Sequence, residues 1–300
     1  MEGFFTQSPC HFVTSPFSKG DKGTVKTVPI YSIIPHVSKA FYDELKYLAY
    51  VQNIFSIGAT MKFYNIAGVT VGYGCKYPET EKRSRPYLCT KSGYADFTIK
   101  INYDDFEESL QEMPLMTPEL LEYMRIGSCF YTALLDFGGL MLHASAVVLD
   151  GNAYCFSAHS GTGKSTHTTQ WLEHFKDRNP YIINDDKPAI KLEEDGFKVY
   201  GTPFSGKHDI SVNTAVPLKG IAFIERGDTN SIRRLEPREV FSLLLNQTVR
   251  PKDEGKLDKL CELIDKLLTQ VPVYLLRCNI SHEAAQLAYD EMSGNNENSR

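Results

Sequence analysis

The residues best suited to chemistry stand together at Ser160-Gly161-Thr162-Gly163-Lys164-Ser165-Thr166. Two glycines one residue apart let successive backbone N–H groups turn toward a single anion. A helix starting at Lys164 adds the positive end of its dipole. A phosphate-binding loop requires G-x-x-x-x-G-K-[ST] between a strand and a helix. Gly163-Lys164-Ser165 fits, and Ala158, a small residue, stands where the first glycine is expected. In that reading Ser160 to Thr166 cradle the phosphates of a nucleotide, Lys164 reaches the β- and γ-phosphates, and the Ser165 hydroxyl holds a divalent metal. The plainer alternative is a Gly-Ser turn ahead of an amphipathic helix. The apolar strand before the loop and the helix after it favour phosphate.

Asp185-Asp186 follows Lys164 by 21 residues, at the end of a short apolar run. Carboxylates placed there reach a metal held at the loop, or a hydroxyl that must lose its proton. A solvated Asp-Asp turn is the other possibility. His143 lies in an apolar stretch just upstream, where a lone histidine is more often a satisfied core residue than a ligand. Arg226, Arg233, Arg234, Arg238 and Arg250 are five of the eleven arginines. Most of them suit a solvated hairpin and helix start. Arg226 ends a core strand and is the exception, suited to bind phosphate through its planar fork.

The elements that must position these groups read as follows. Leu140–Leu149 and Ala153–Ser157 are strands around an Asp150-Gly151-Asn152 turn. The loop follows, then a helix over Lys164–Phe175. Pro180–Asn184 is a third strand, 189–200 a strand pair, and Gly201–His208 a loop. Gly220–Glu225 and Ser231–Leu235 pair around Gly227-Asp228. Pro237–Val249, Glu254–Thr269 and Ser281–Met292 are helices, with a strand at Val271–Cys278. Upstream, Phe41–Tyr50 reads as a helix, Phe63–Tyr73 as strands turning at Gly68, and Tyr94–Tyr103 as a strand. Thr117–Leu135 is a helix with Thr117 as N-cap, ended by Gly138-Gly139. Residues 1–25, rich in Ser, Thr, Pro and Gly, read as a loosely held arm.

Together LHASAVVLDGNAYCFSAHSGTGKST, INDDKPAI and YGTPFSGK resemble the nucleotide-binding core of the phosphoenolpyruvate carboxykinase and HPr kinase/phosphorylase superfamily, over about residues 138–235. The resemblance implies an α/β P-loop core over 136–300, and the hairpins around residues 150 and 195 make its sheet mixed. Residues 1–135 are expected to form a smaller α+β domain, to which substrate recruitment falls by elimination. The resemblance also implies ATP with Mg2+ or Mn2+, and transfer of the γ-phosphoryl group to a hydroxyl. Carried over position by position, Asp185 is the general base and Asp186 a metal ligand. His143 is a metal ligand or catalytic-site histidine, Lys164 and Ser165 bind phosphate and metal, and Lys207 contacts the γ-phosphate. The acceptor is then Ser or Thr of a small protein or peptide, or a small-molecule alcohol. A homo-oligomer is in keeping with it. The chain departs from the pattern in three ways. It is far shorter than a carboxykinase, that family's substrate-binding arginine and full metal set have no counterpart here, and no HPr-docking signature is present.

Three hundred residues, 42% hydrophobic and 23% charged, exclude a disordered chain and a coiled-coil rod. Residues 1–142 carry 13 basic against 15 acidic side chains and the remainder 19 against 22. Neither part has the footprint of a nucleic-acid or anionic-membrane binder. Seven scattered cysteines without C-x-x-C read as reduced thiols. No secretory signal or apolar span is visible, so the expected compartment is the cytoplasm. Asp136-Phe137-Gly138 lacks the partner motifs of a protein kinase, and Ser160 lacks the glycines of a hydrolase elbow. His159, His167 and His174 lack zinc spacing. Trp171 and Phe175 read as core. Two alternatives stay open: a nucleotide-binding sensor with little chemistry, and a true carboxykinase, which the length disfavours.

Overall fold

The computed structural model describes residues 11–14, 60–89 and 94–294. The chain runs β1 (His11–Thr14), β2 (Lys62–Ile66), β3 (Val69–Tyr73), α1 (Pro78–Ser84), β4 (Phe97–Lys100), α2 (Phe106–Glu112) and α3 (Pro118–Leu134). It continues through β5 (Gly139–Met141), β6 (Ala144–Leu149), β7 (Asn152–Ser157), α4 (Lys164–His174), β8 (Tyr181–Asn184), β9 (Ala189–Glu193) and β10 (Gly196–Tyr200). Last come β11 (Ala215–Arg226), β12 (Ser231–Arg234), α5 (Pro237–Asn246), α6 (Glu254–Gln270), β13 (Val273–Cys278) and α7 (His282–Ser293).

The larger sheet has the order β5-β9-β10-β11-β7-β6-β8, with β13 added beside β11 and β12 beside β13. It is mixed: β7, β11 and β13 are mutually parallel, while β6 is antiparallel to both β7 and β8. The twelve-residue β11 joins the parts by changing neighbours along its length. Ala215–Pro217 pair with β10, Leu218–Phe223 with β7, and Ile221–Arg226 with β13.

Strand alternation buries both faces of the central strands. Ala144, Ala146, Val148, Ala153, Cys155, Ile221 and Phe223 pack with Val240 and Leu244 of α5 and Leu260, Leu263, Ile264 and Leu267 of α6. The intervening Val147, Leu149, Tyr154, Phe156, Ala222 and Ile224 pack with Trp171 of α4 and with Ala284, Ala285, Ala288 and Met292 of α7. The result is helices on both sides of one sheet, the arrangement that buries near-continuous apolar strands.

The smaller sheet, β1-β4-β3-β2, packs on α3 through aromatic side chains. Phe97 stacks at 6.2 Å on Phe130, which meets Phe204 at 5.7 Å. The same cluster holds Met141, Ala189, Phe204 and Val249, so its apolar contacts run on into the segments that flank Asp186.

Several expectations hold. The β2–β3 hairpin turns at Ala67-Gly68, where φ is 54° and 73°. Thr117 Oγ1 accepts from the Leu120 N–H at 3.3 Å and caps α3, which a 3-10 turn and Gly138 at φ 73° terminate. Others do not. The Leu140–Leu149 run breaks at Leu142-His143, because its first part pairs only with β9 and its second with β7 and β8. Gly220–Glu225 and Ser231–Leu235 do not pair with each other. The apolar β13 lies between them, parallel to β11 and antiparallel to β12, and the polar SIRR strand takes the edge. Within the expected arm, His11–Thr14 pair antiparallel with β4. The short helices α1 and α2 were not anticipated, and the expected helix at 41–50 lies outside the described residues. Cys129, buried in α3, is disulfide-bonded, against the expectation of reduced thiols throughout. No helix among the described residues is long and apolar enough to cross a membrane.

Candidate functional site

Strand direction gathers the chemistry at one end of the central strands. Because β6 runs opposite to β7 and β8, its first residue lies beside their last ones. Ala144 is opposite Ser157, and Ala146 opposite Asn184. His143, the loop after Ser157 and Asp185-Asp186 therefore share that end, and β11, ending in Arg226, runs parallel alongside β7.

The loop from Ala158 to Gly163 connects β7 to α4. Gly161 and Gly163 have φ of 79° and 126°, conformations that disfavour L side chains. A Cβ built on either meets nothing within 4 Å, so no neighbour requires glycine there and the backbone conformation does. The first-turn amides of α4 lack intrahelical acceptors by geometry and give the loop a donor-rich lining. Arg226 holds the loop from behind: Nε donates to Thr162 O at 3.0 Å and Nη2 to Gly161 O at 2.6 Å. Arg226 thus engages backbone carbonyls of the loop. Ser160, Gly161 and Thr166 are exposed, while Thr162, Gly163 and Ser165 are half-buried.

Lys164 is only 8% exposed, and its Nζ donates to Ala158 O at 3.0 Å. Its other two ammonium hydrogens have no acceptor among the described residues. Burial lowers its affinity for the proton, Asp186 and Asp185 raise it, and Lys187 lowers it; the net is a pKa below the usual lysine range. An ammonium in that state is stabilised by an incoming anion.

Asp185 is buried. Its Oδ1 accepts from Ser145 Oγ at 2.6 Å, and Ser145 Oγ lies 2.8 Å from Thr168 Oγ1 of α4. This carboxylate is therefore tied to the underside of the helix that the loop introduces. Asp186 faces the other way. His143 Nε2 lies 3.2 Å from its Oδ1, and Lys187 Nζ pairs with its Oδ2. Burial pushes the Asp186 carboxyl up, but the His143 hydrogen bond and the Lys187 charge outweigh it and hold it well below the usual carboxylate range. Asn184 shapes this turn: its Oδ1 accepts from the N–H of Asp186 at 3.0 Å and of Lys187 at 2.8 Å.

Both ring nitrogens of His143 are engaged, since Nδ1 lies 3.0 Å from Gln247 Oε1. The backbone matches, with His143 N–H donating to Gln247 O at 2.7 Å. The expected metal set of Ser165, Asp186 and His143 thus contains one pair in direct contact. Among the described residues no three His, Cys, Asp or Glu side chains converge as a metal set.

Lys207 lies exposed on the turn that follows Ser205 and makes no hydrogen bond or ion pair to the described residues. Its neighbour Gly206 is close to the site. A Cβ on Gly206 would stand 2.7 Å from Asp186 Cβ. His167, of the discarded zinc set, turns into the core, accepting from Trp171 Nε1 at 3.1 Å. Arg233 pairs with Glu239 at 2.9 Å on the surface.

Lys187, Ser145, Gln247 and Gly206 belong to this constellation but were not singled out from sequence. Only Lys187 carried a local signal, its place directly after Asp185-Asp186.

No family model matches the chain, and no curated protein matches it. Among solved structures, the Hpr(Ser) kinase/phosphatase from Coxiella burnetii aligns with 51% of this chain and 97% of its own, at 13% identity and a TM-score of 0.32. A likeness that small carries no argument about activity.

Proposed function

We propose that this chain is an ATP-dependent phosphotransferase. It moves the γ-phosphoryl group to a hydroxyl, in the first instance a Ser or Thr of a small protein or peptide, and otherwise a small-molecule alcohol. The observation that carries the proposal is the meeting of a desolvated Lys164 ammonium, behind a loop with glycines at positive φ, with two carboxylates of different surroundings at one end of the strands. The motif order read from sequence supports it.

The loop amides and Lys164 bind the β- and γ-phosphates, Lys164 exchanging its bond to Ala158 O for phosphate oxygen. The donor set suits Mg2+, a hard cation held by one or two carboxylates that takes its remaining ligands from hydroxyl, phosphate and water oxygens. Ser165 and Asp186 hold it in this reading, and His143 orients the Asp186 carboxylate from Nε2. Bound there, the metal would offset the negative charge of the nucleotide phosphates. Asp185, fixed through Oδ1 by Ser145, takes the acceptor proton on its other oxygen as the acceptor oxygen bonds to the γ-phosphorus. The bond from that phosphorus to the β-phosphate oxygen breaks, and its electron pair leaves with ADP. Lys164 and Lys207 stabilise the charge on the moving group. Residues 1–135 are proposed as a smaller substrate-recruiting domain, and a cytoplasmic setting and self-association remain part of the reading.

Removing the base tests the assignment. Asp185→Asn is expected to lower transfer by about 10²–10⁴-fold while leaving ATP binding within about threefold. Retained transfer in Asp185→Asn would remove Asp185 from that role.

A further inference from the structure

The turn that carries Lys207 is held by side chains far away in sequence. Gly206 offers two backbone groups, and the N-terminal part of the chain takes both. Its carbonyl accepts from Arg83 Nη1, and its N–H donates to Tyr123 Oη at 3.2 Å. The two side chains are also coupled to each other, with the Arg83 guanidinium 5.0 Å from the Tyr123 ring centroid. Neither is a surface group. The Arg83 side chain is 12% exposed and Tyr123 is buried, with its ring 5.7 Å from Phe204 two residues before Gly206.

Arg83 is itself anchored, since its Nε donates to Glu79 Oε1 at 2.7 Å within α1. Its Nη1 also lies 3.6 Å from Asp209 Oδ1, and Asp209 accepts from Ser205 Oγ at 3.1 Å, closing the turn on both sides of Gly206. Gly206 has φ +72°, and its Cα faces Asp186 so closely that a Cβ would lie 2.9 Å from Cγ and 3.0 Å from Oδ2. One backbone residue is thus pressed between an N-terminal clamp and a site carboxylate.

We infer that Arg83 and Tyr123 are positioning residues of the phosphate site, holding Gly206 against Asp186 and thereby setting where Lys207 stands. The inference rests on the phosphotransferase reading. It gives residues of the N-terminal part a share in building the site, beyond any recruitment of substrate. Both side chains act through the turn, and Lys207 is what the turn delivers to the γ-phosphate end of the nucleotide.

The test measures affinity for ATP and for ADP, each with Mg2+, together with amide hydrogen exchange across 203–210. The variants are Arg83→Met, Arg83→Lys, Tyr123→Phe, Lys207→Ala and the Arg83→Met/Lys207→Ala double, with Lys164→Ala as control. Loss of a charge-assisted bond that orders the turn is expected to weaken ATP by roughly tenfold and ADP by less than about twofold. Lys207→Ala should give the same loss, and the double variant should be no worse than either single, because the effects share one route. Exchange across 203–210 should rise in Arg83→Met, and Arg83→Lys should recover part of the protection. If Arg83→Met does not fold, Arg83→Lys and Tyr123→Phe carry the same comparison. Equal losses for ATP and ADP, additive losses in the double, or unchanged exchange across 203–210 would each overturn the inference. If Lys164→Ala binds ATP as the wild type does, the phosphate-site reading falls instead. Exchange across 203–210 in Arg83→Met then still decides whether the clamp exists.

Discussion

Gly206→Ala tests the close approach on which the site depends. Two costs add. At φ +72° an L side chain is held in the left-handed region, at about 1–2 kcal/mol. The new Cβ also meets Asp186 Cβ at 2.7 Å, against about 3.5–4.0 Å for relaxed carbon contact. That atom is fixed by the Asp186 backbone and cannot swing aside, so the turn must move by close to 1 Å. Overpacking of this kind costs about 1–3 kcal/mol, giving an expected destabilisation of about 2–5 kcal/mol. Gly161→Ala is the internal control. Its φ of +79° carries the same backbone cost, but its Cβ meets nothing within 4 Å. Urea unfolding of the two variants, compared at constant slope, isolates the clash. Gly206→Ala should unfold at lower urea than Gly161→Ala by the equivalent of about 1–3 kcal/mol. Equal midpoints would show that the turn does not press on Asp186 and would refute the argument.

Three further outcomes follow from the geometry. His167 is buried, and burial pushes its pKa down to about 4, so the unfolded chain binds its proton first. Stability should be flat above the ordinary value of 6.5 and fall by about 3 kcal/mol as pH drops toward 4; His167→Gln should flatten that slope in urea midpoints taken between pH 7 and 4.5. Glu122, 0% exposed, accepts from the N–H of Lys76 at 2.6 Å, the N–H of Tyr77 at 3.2 Å and the Tyr103 hydroxyl. In Glu122→Gln the amide oxygen can keep the Lys76 and Tyr103 donors, but the NH2 is turned against the Tyr77 N–H and the charge assistance is lost, which should cost about 1–3 kcal/mol in the same assay. Arg226→Ala removes two bonds to the loop carbonyls from an exposed position and should weaken ATP binding about three- to tenfold with little change in melting temperature.

What was legible in the sequence was local. The β7–loop–α4 unit is spelled by consecutive residues: an apolar strand, glycines at positive φ, then a helix. The Thr117 cap and the β9–β10 hairpin are likewise set within a few residues. Asp185-Asp186 stood out because two carboxylates close an apolar strand. What was not legible depends on partners distant in the chain. Gln247 meets His143 from 104 residues away and Arg83 meets Gly206 from 123, and no periodicity marks such pairs. The same holds for strand pairing. Alternation identifies β11, β12 and β13 as strands, yet only the burial of the VYLLRC strand decides that it separates the other two. The break at Leu142-His143 is of this kind too, because an unbroken apolar run does not reveal a change of neighbours.

The most direct test of the account is transfer of label from γ-labelled ATP with Mg2+ into a cell extract, split into macromolecular and small-molecule fractions, using wild-type protein and Lys164→Ala. The account predicts label in one fraction with the wild type that falls to the extract's own background with Lys164→Ala, and a labelled protein or peptide band would make the acceptor a side-chain hydroxyl. ATP binding with no Lys164-dependent label in either fraction would contradict it and leave a nucleotide sensor in its place.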